Sequence, residues 1–398
     1  MSDTVFILGA GFSRAAAIPL LGGFVEKMWE LAIRGRTDKP LHHDDREALV
    51  QAMRIRGELD SYHGRAQFDD RNIEDILSIL SFNVLAGNKG DRQKLDAMTN
   101  AIARTIEVCC TVKHPGLLPS GSQVNKDGPD LYRAFWKALF AAEARGFALP
   151  AIITFNYDLV LERSLLQVLV GTEYGATVRL PFEHFTLNYY YQSAKVSRYR
   201  VQYVNYNTWE VNRPSSTVGT ILQEVPVDST TKFTTINLLK LHGSLNFPKP
   251  KIRQAPTTAP WNFVKALPEP FILPPVFNKL AGDASSSMWT AALEHLRSAK
   301  NVVVVGYSLP QTDIYMQYFL KAALGPNLDL NRLIVFDPVL YSTSDGCAEM
   351  KHRYESCFSP QLRRRITFDP FVNPPSVQQG TADAFVRKLE SEPETLLF

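Results

Sequence analysis

The sequence predicts an α/β protein built on a Rossmann-like, doubly wound parallel sheet. Three observations carry that prediction. Six short apolar runs, β-branched and apolar on both faces, read as buried strands. Helical patterns follow most of them, as strand–helix alternation in a parallel sheet requires. Several of the strands run into polar turns that carry glycine. In chain order the strands lie at 5–8, 151–154, 238–241, 302–305, 333–336 and 366–368, with helices at about 14–34, 157–170, 310–324 and 381–391. Two long stretches interrupt this core. Residues 36–149 read as a helical insertion that includes 72–84 (NIEDILSILSFNV) and 130–145. Residues 172–235 read as a β-rich insertion, with hairpin-like fragments such as NYYYQS and RYRVQYVNYNTWEV. The proline-rich segment 248–275 reads as an extended loop.

Composition narrows the function classes. The 398 residues are 45% hydrophobic and 21% charged, values of an ordinary folded chain and not of a disordered one. The 43 basic and 40 acidic residues nearly cancel, so no direct contact with nucleic acid is expected. The four cysteines, at 109, 110, 347 and 357, fit no zinc ribbon or disulfide framework. They read as four buried thiols of a reduced, cytoplasmic protein. No apolar run is long enough to span a bilayer, and the N-terminal segment lacks the basic start of a signal peptide, so no membrane association is expected.

The strand ends hold the candidate chemistry. The first strand runs into Gly9-Ala10-Gly11-Phe12-Ser13, where glycines let a backbone approach phosphate and a following helix supplies N–H donors. The pattern departs from G-x-G-x-x-G because position 14 is Arg, and the alternative is a tight turn with Ser13 as a cap. The second strand ends in Thr154-Phe155-Asn156-Tyr157-Asp158. Asn156 offers both a donor and an acceptor, and either Asn156 or Asp158 could instead cap the next helix. The third ends in Leu241-His242-Gly243-Ser244, which supplies a candidate general base. The fourth ends in Gly306-Tyr307-Ser308-Leu309-Pro310, alternatively a glycine turn with Ser308 as an N-cap. The fifth ends at Asp337, which either meets an adenosine ribose or caps a turn. A dinucleotide site explains this set of polar turns on successive strands better than independent capping does.

GAGFS, TFNYD, LHGS and GYSLP, in that order, resemble the sirtuin-like NAD-binding proteins of bacterial immune systems, with NIEDILS (72–78) and LPP (273–275) as less specific matches. The resemblance runs from residue 5 to about 337. It implies that Gly9, Ala10, Gly11 and Ser13, with Arg14 beside them, hold the NAD phosphates and adjoining ribose. It places Asn156 and Asp158 at the nicotinamide-side ribose and carboxamide, makes His242 the catalytic histidine, and sets Gly306 and Ser308 along the adenosine half. The chain departs from sirtuin deacylases in lacking their paired C-x-x-C zinc module, so no zinc is expected. It also has Ala17-Ile18-Pro19 in place of Gly-Ile-Pro, with no Asp-Phe-Arg after it.

Loss of the zinc module moves the expected reaction from peptide deacylation to hydrolysis of NAD into nicotinamide and ADP-ribose. Nicotinamide leaves an anomeric carbon, so the transition state is oxocarbenium-like. Asn156 would orient water and ribose, His242 would act as base, and Asp158 would place the nicotinamide-side groups. Glu162, one helical turn on, reads either as a supporting residue or as a solvated helix acid. The aromatic β-insertion reads as a twisted hairpin, a lid or an assembly surface, and its arginines 198, 200 and 213 are also compatible with single-stranded nucleic acid. An NADase must be gated. By resemblance the chain would be a homo-oligomeric effector of abortive-infection defence assembled with a HerA-type ATPase/translocase, in preference to an Argonaute-type partner. The alternatives are a deacylase or ADP-ribosyltransferase, and a non-catalytic NAD- or ADP-ribose-binding subunit.

Overall fold

A computed structural model describes residues 3–35, 40–59, 69–113, 128–169, 182, 184–191, 197–210, 213–224, 232–249, 263–273, 283–311, 313–341, 345–368 and 382–397. Strand β1 (Thr4–Leu8) leads into a single helical turn, α1 (Ala10–Ser13), and a 3₁₀ turn at Arg14–Ala16. Helices α2 (Phe24–Arg34), α3 (His43–Leu59), α4 (Ile73–Leu85), α5 (Lys89–Cys109) and α6 (Asp130–Ala144) follow. The chain returns to the sheet as β2 (Ala151–Thr154), and α7 (Val160–Leu169) comes next. Five strands follow: β3 (His184–Asn188), β4 (Ser197–Glu210), β5 (Arg213–Glu224), β6 (Thr234–Lys240) and β7 (Gly243–Pro248). Then come β8 (Pro270–Ile272), α8 (Asp283–Arg297), β9 (Asn301–Val305), α9 (Ile314–Leu324) and β10 (Arg332–Phe336). The last elements are α10 (Asp345–Ser356), α11 (Pro360–Arg363), β11 (Ile366–Phe368), α12 (Ala382–Ser391) and α13 (Glu394–Leu397).

The main sheet has the order β11-β10-β9-β1-β2-β6-β3-β4-β5. From β11 to β3 the strands run parallel, and β4 and β5 add an antiparallel hairpin at the edge. With β3 set aside, the parallel strands follow the doubly wound order 3-2-1-4-5-6, so the Rossmann-like reading holds. The order reverses between β1 and β9. Both strands are buried along their whole length, which is why TVFIL and NVVVV carry apolar or β-branched residues at nearly every position.

All six expected strands are present. Four other features differ from the sequence reading. The helix expected at 14–34 breaks at Ala17, whose φ of 62° is left-handed, and resumes in α2 after Pro19. Helix α2 then buries Phe24, Val25, Met28 and Leu31 in a separate core with α3, α4 and α5. It is α6, read as part of the helical insertion, that packs on the sheet: Tyr132, Phe135, Trp136 and Phe140 join the core around Phe6 and Phe12. Strand β3, read as part of a hairpin insertion, pairs parallel with β6 because Phe185 and Leu187 are buried in the sheet core. Within the segment read as an extended loop, β8 pairs antiparallel with β7. Residues 36–39, 60–68, 114–127, 172–181, 183, 192–196, 211–212 and 225–231 of the two insertions, and 250–262, 274 and 275 of the proline-rich loop, lie outside the described residues.

No helix among the described residues is long and apolar enough to cross a membrane. The cysteines divide, with Cys110 and Cys357 buried but Cys109 and Cys347 only half-buried.

The switch point is closed by backbone lying on backbone. Gly9 N–H donates to the Val305 carbonyl and Gly11 N–H to that of Gly306, each at 2.9 Å. A Cβ at Gly306, where φ is 65°, would stand 2.5 Å from the amide nitrogen of Phe12 and 2.7 Å from Gly11 Cα. One at Gly9 would stand 2.4 Å from the Gly306 carbonyl oxygen. Strain of about 1–2 kcal/mol from the left-handed backbone and about 1–3 kcal/mol from overpacking should add at Gly306→Ala. Gly146, also at positive φ but with nothing within 4 Å of an added methyl, should show the first cost alone. Urea unfolding of Gly306→Ala against Gly146→Ala measures the difference.

Candidate functional site

One transverse row of the sheet sets the positions of the candidate residues. Lys240 pairs with Thr154, Thr154 with Leu8, Leu8 with Val305, and Val305 with Phe336. Each strand leaves the sheet just beyond that row, so the polar turns emerge together at the carboxyl edge. There the sheet order reverses and α/β proteins bind their ligands.

Asn156 ties the first two turns together. Its Nδ2 donates to the Gly9 carbonyl at 2.9 Å and to Ser13 Oγ at 2.8 Å. A carbonyl only accepts, so the bond to Gly9 fixes which end of the amide is nitrogen. Both Nδ2 hydrogens are then used within the protein, and Oδ1 has no partner among the described residues. Thr154 completes the joint: its Oγ1 donates to the Leu8 carbonyl at 2.9 Å and accepts from Asn156 N–H at 3.1 Å.

This arrangement narrows the role of the glycine turn. The Gly9 and Gly11 N–H groups point at strand β9, and Phe12 N–H returns to the Gly9 carbonyl. Helix α1 is a single turn, so the dipole expected of a long helix is small here. Ala10 and Arg14 are exposed at the rim, whereas Ser13 is buried and holds Asn156.

An aromatic cluster lies beside these turns. His242 is 7% exposed, with its ring 5.2 Å from Phe155, 6.3 Å from Tyr157 and 6.3 Å from Trp289. Phe155 also meets Tyr307 at 4.8 Å. Side chains from three of the strand-end turns thus share one cluster with α8. Leu273 fastens the cluster, donating from its N–H to the His242 carbonyl at 2.7 Å and accepting from Tyr157 Oη at 2.6 Å. Tyr307 Oη donates to Asp313 Oδ2 at 2.7 Å. Burial pushes the Tyr307 phenol well above its ordinary pKa, with the Asp313 carboxylate adding to the shift. Burial does the same at Tyr157, helped by Glu74 and Asp313. Both phenols stay protonated.

Three site residues take local roles. Asp158 is 6% exposed, and its Oδ1 accepts from Val160 N–H at 3.0 Å at the start of α7. Its charge bears on buried Tyr132 and on Cys110, whose thiol burial pushes up to about 12. The Oδ1 contact is the one the capping alternative calls for. Asp337 Oδ1 likewise caps Val339 N–H at 3.0 Å, in a buried turn where Arg353 partly offsets the loss of solvation. Ser308 is not the cap of α9, which is Asp313; its carbonyl accepts from Arg353 Nε at 3.2 Å, and it stays half-buried beside Gly306.

Glu162 is not a solvated acid. It is fully buried and meets Lys240 Nζ at 2.8 Å, and Lys240 is itself only 2% exposed. Lys240 Nζ also donates to the Asp158 carbonyl, and Tyr189 Oη to Glu162 Oε1 at 3.3 Å. Burial raises the Glu162 pKa while Lys240 opposes the rise. Sequence reasoning passed over Lys240, although a lysine inside the apolar run Leu238-Leu239-Lys240-Leu241 is itself a signal. Phe155 and Tyr307 sat unremarked within their motifs, and no motif marks Trp289.

A separate cleft of about 310 Å³ is lined by Asp45, Arg104, Glu107, Arg163 and Lys265, none of them in the strand-end turns. No protein-family model matches the chain, and no curated protein matches it.

Two outcomes are expected. Lys240→Met strands a buried carboxylate and should cost about 3–5 kcal/mol in urea unfolding, whereas Lys240→Met with Glu162→Leu should recover that loss. Asp337 has its folded-state pKa raised above the ordinary 3.8 by burial. Its stabilising contribution is therefore full below that value and is lost as pH rises through the raised one. Asp337→Asn keeps the Oδ1 cap, so it should gain stability relative to wild type from about pH 4 towards neutrality. Unfolding free energies of the pair across that range check the sign.

Proposed function

We propose that the chain is an NAD hydrolase that cleaves NAD to nicotinamide and ADP-ribose. The observation that supports this best is the joint made by Asn156. Its amide is locked between Gly9 and Ser13 at the point where the sheet order reverses, with Oδ1 as its remaining polar atom. A dinucleotide would lie across that crevice with its adenosine half along Gly306 and Ser308 and its pyrophosphate at the Ala10–Arg14 rim.

Breaking the nicotinamide–ribose bond leaves positive charge on the anomeric carbon. Asn156 Oδ1 would accept from a water or ribose hydroxyl and hold it in line. A preset acceptor needs no reorganisation as charge develops, which is where such catalysis gains most. His242 would take the proton. Phe155, Tyr157, Trp289 and Tyr307 would exclude bulk water and offer ring faces to the nicotinamide. The Asp313 carboxylate, which accepts from Tyr307 Oη, would favour positive charge developing beside these rings.

The fit of the motifs with sirtuin-like immune proteins extends the proposal to the biology: a cytoplasmic abortive-infection effector, oligomeric and gated by a HerA-type ATPase/translocase. A second reading, NAD or ADP-ribose binding without turnover, draws on the burial of His242 and the capping role of Asp158.

Incubation with NAD, with and without a HerA-type ATPase, followed by product analysis, separates these readings. Hydrolysis should yield nicotinamide and free ADP-ribose in equal amounts, while a transferase would leave ADP-ribose on protein. Asn156→Ala and His242→Ala should each slow turnover by about 10²–10³-fold. Equal rates in wild type and both variants would remove the assignment, and saturable binding without product would favour the second reading.

A further inference from the structure

We propose that Lys240 is a positioning residue that fixes Asn156 and His242 relative to one another. It does so by tethering the turn after β2 to the end of β6. The consequence for turnover rests on the NAD-hydrolase reading, whereas the tether is a property of the fold.

Thr154 and Lys240 are the last register partners of β2 and β6, and Leu241 N–H to the Thr154 carbonyl, at 3.0 Å, closes the ladder. Asn156 and His242 each stand two residues beyond that pair. Past it the two chains leave the sheet, and strand pairing no longer sets their separation. Lys240 spans the gap. Its ammonium donates to the backbone carbonyl of Asp158, two residues past Asn156, and to Glu162 Oε1 in the first turn of α7. The side chain two residues before His242 thereby holds both the far end of the Asn156 turn and the helix that follows it.

Stability alone is a poor reason for this pair. With Lys240 2% and Glu162 0% exposed, desolvation opposes the attraction, and apolar residues of similar volume commonly do as well. Glu162 Oε2 has no hydrogen-bond partner among the described residues, so the carboxylate is not even fully satisfied. An apolar pair would fill the same space, but it could not direct a bond to the Asp158 carbonyl. Three donors on a compact ammonium can serve that carbonyl and the carboxylate together.

The test uses the full chain, with its partner ATPase if turnover requires it, and the double variant Lys240→Met/Glu162→Leu, which removes the tether without stranding a charge. Its kcat for NAD should fall at least tenfold while KM changes less than threefold. In protein labelled with ¹⁵N-histidine, the His242 imidazole resonances, assigned by their loss in His242→Ala, should shift from the wild-type positions. Wild-type kcat, or a change in KM alone, together with unshifted His242 resonances would overturn the proposal. If wild type neither binds nor cleaves NAD, the hydrolase reading fails. The imidazole resonances then decide the tether by themselves: shifted supports it and unshifted overturns it.

Discussion

The contact of Gly9 and Gly11 with Gly306 is the constraint on which the rest of the molecule depends. Strands β1 and β9 are neighbours at the reversal of sheet order, and both chains must turn away at the same level. Their turns touch through backbone atoms at distances that leave no room for a side chain on either partner. Phosphate approach is therefore not needed to explain the glycines. What the contact provides is a fixed origin. With it in place, the Gly9 carbonyl stands where Asn156 can reach it, and β2 is registered against β1 by both strand pairing and side-chain bonds.

From that origin the site is assembled by two kinds of interaction with different tolerances. Hydrogen bonds to backbone carbonyls fix direction: Asn156 to Gly9, Tyr157 to Leu273, Lys240 to Asp158. Aromatic contacts pack His242, Phe155, Tyr307 and Trp289 together from elements far apart in sequence. Acidic groups divide in the same way. Asp158 and Asp337 serve backbone N–H groups at turn starts, and Glu162 serves a buried lysine. Asp313 accepts from the Tyr307 phenol.

The sheet was legible because its strands are buried on both faces, which leaves short β-branched runs that helices rarely imitate. The strand-end turns were legible for a related reason, since polar and glycine residues end each run abruptly. Helices α2 and α6 traded places because both carry an apolar stripe, and only tertiary contact shows that one faces the sheet and the other α3 to α5. Strand β3 was hidden by its mixed sequence, HFTLN, whose partner β6 lies beyond the β4–β5 hairpin. The burial of Glu162 depends on Lys240, 78 positions away. Capping and catalysis ask for the same residue types at strand ends, so Asn156 and Asp158 looked alike in the sequence. They parted only when their partners were seen.

The proposed dinucleotide site lies where the Gly9, Asn156 and Gly306 turns meet. Amide hydrogen exchange with and without saturating NAD tests it most directly. Protection should appear in peptides covering 9–14, 154–158 and 306–309 and leave those lining the Arg104–Lys265 cleft unchanged. Protection at that cleft instead, or none at the three turns under conditions where NAD is bound, would contradict it.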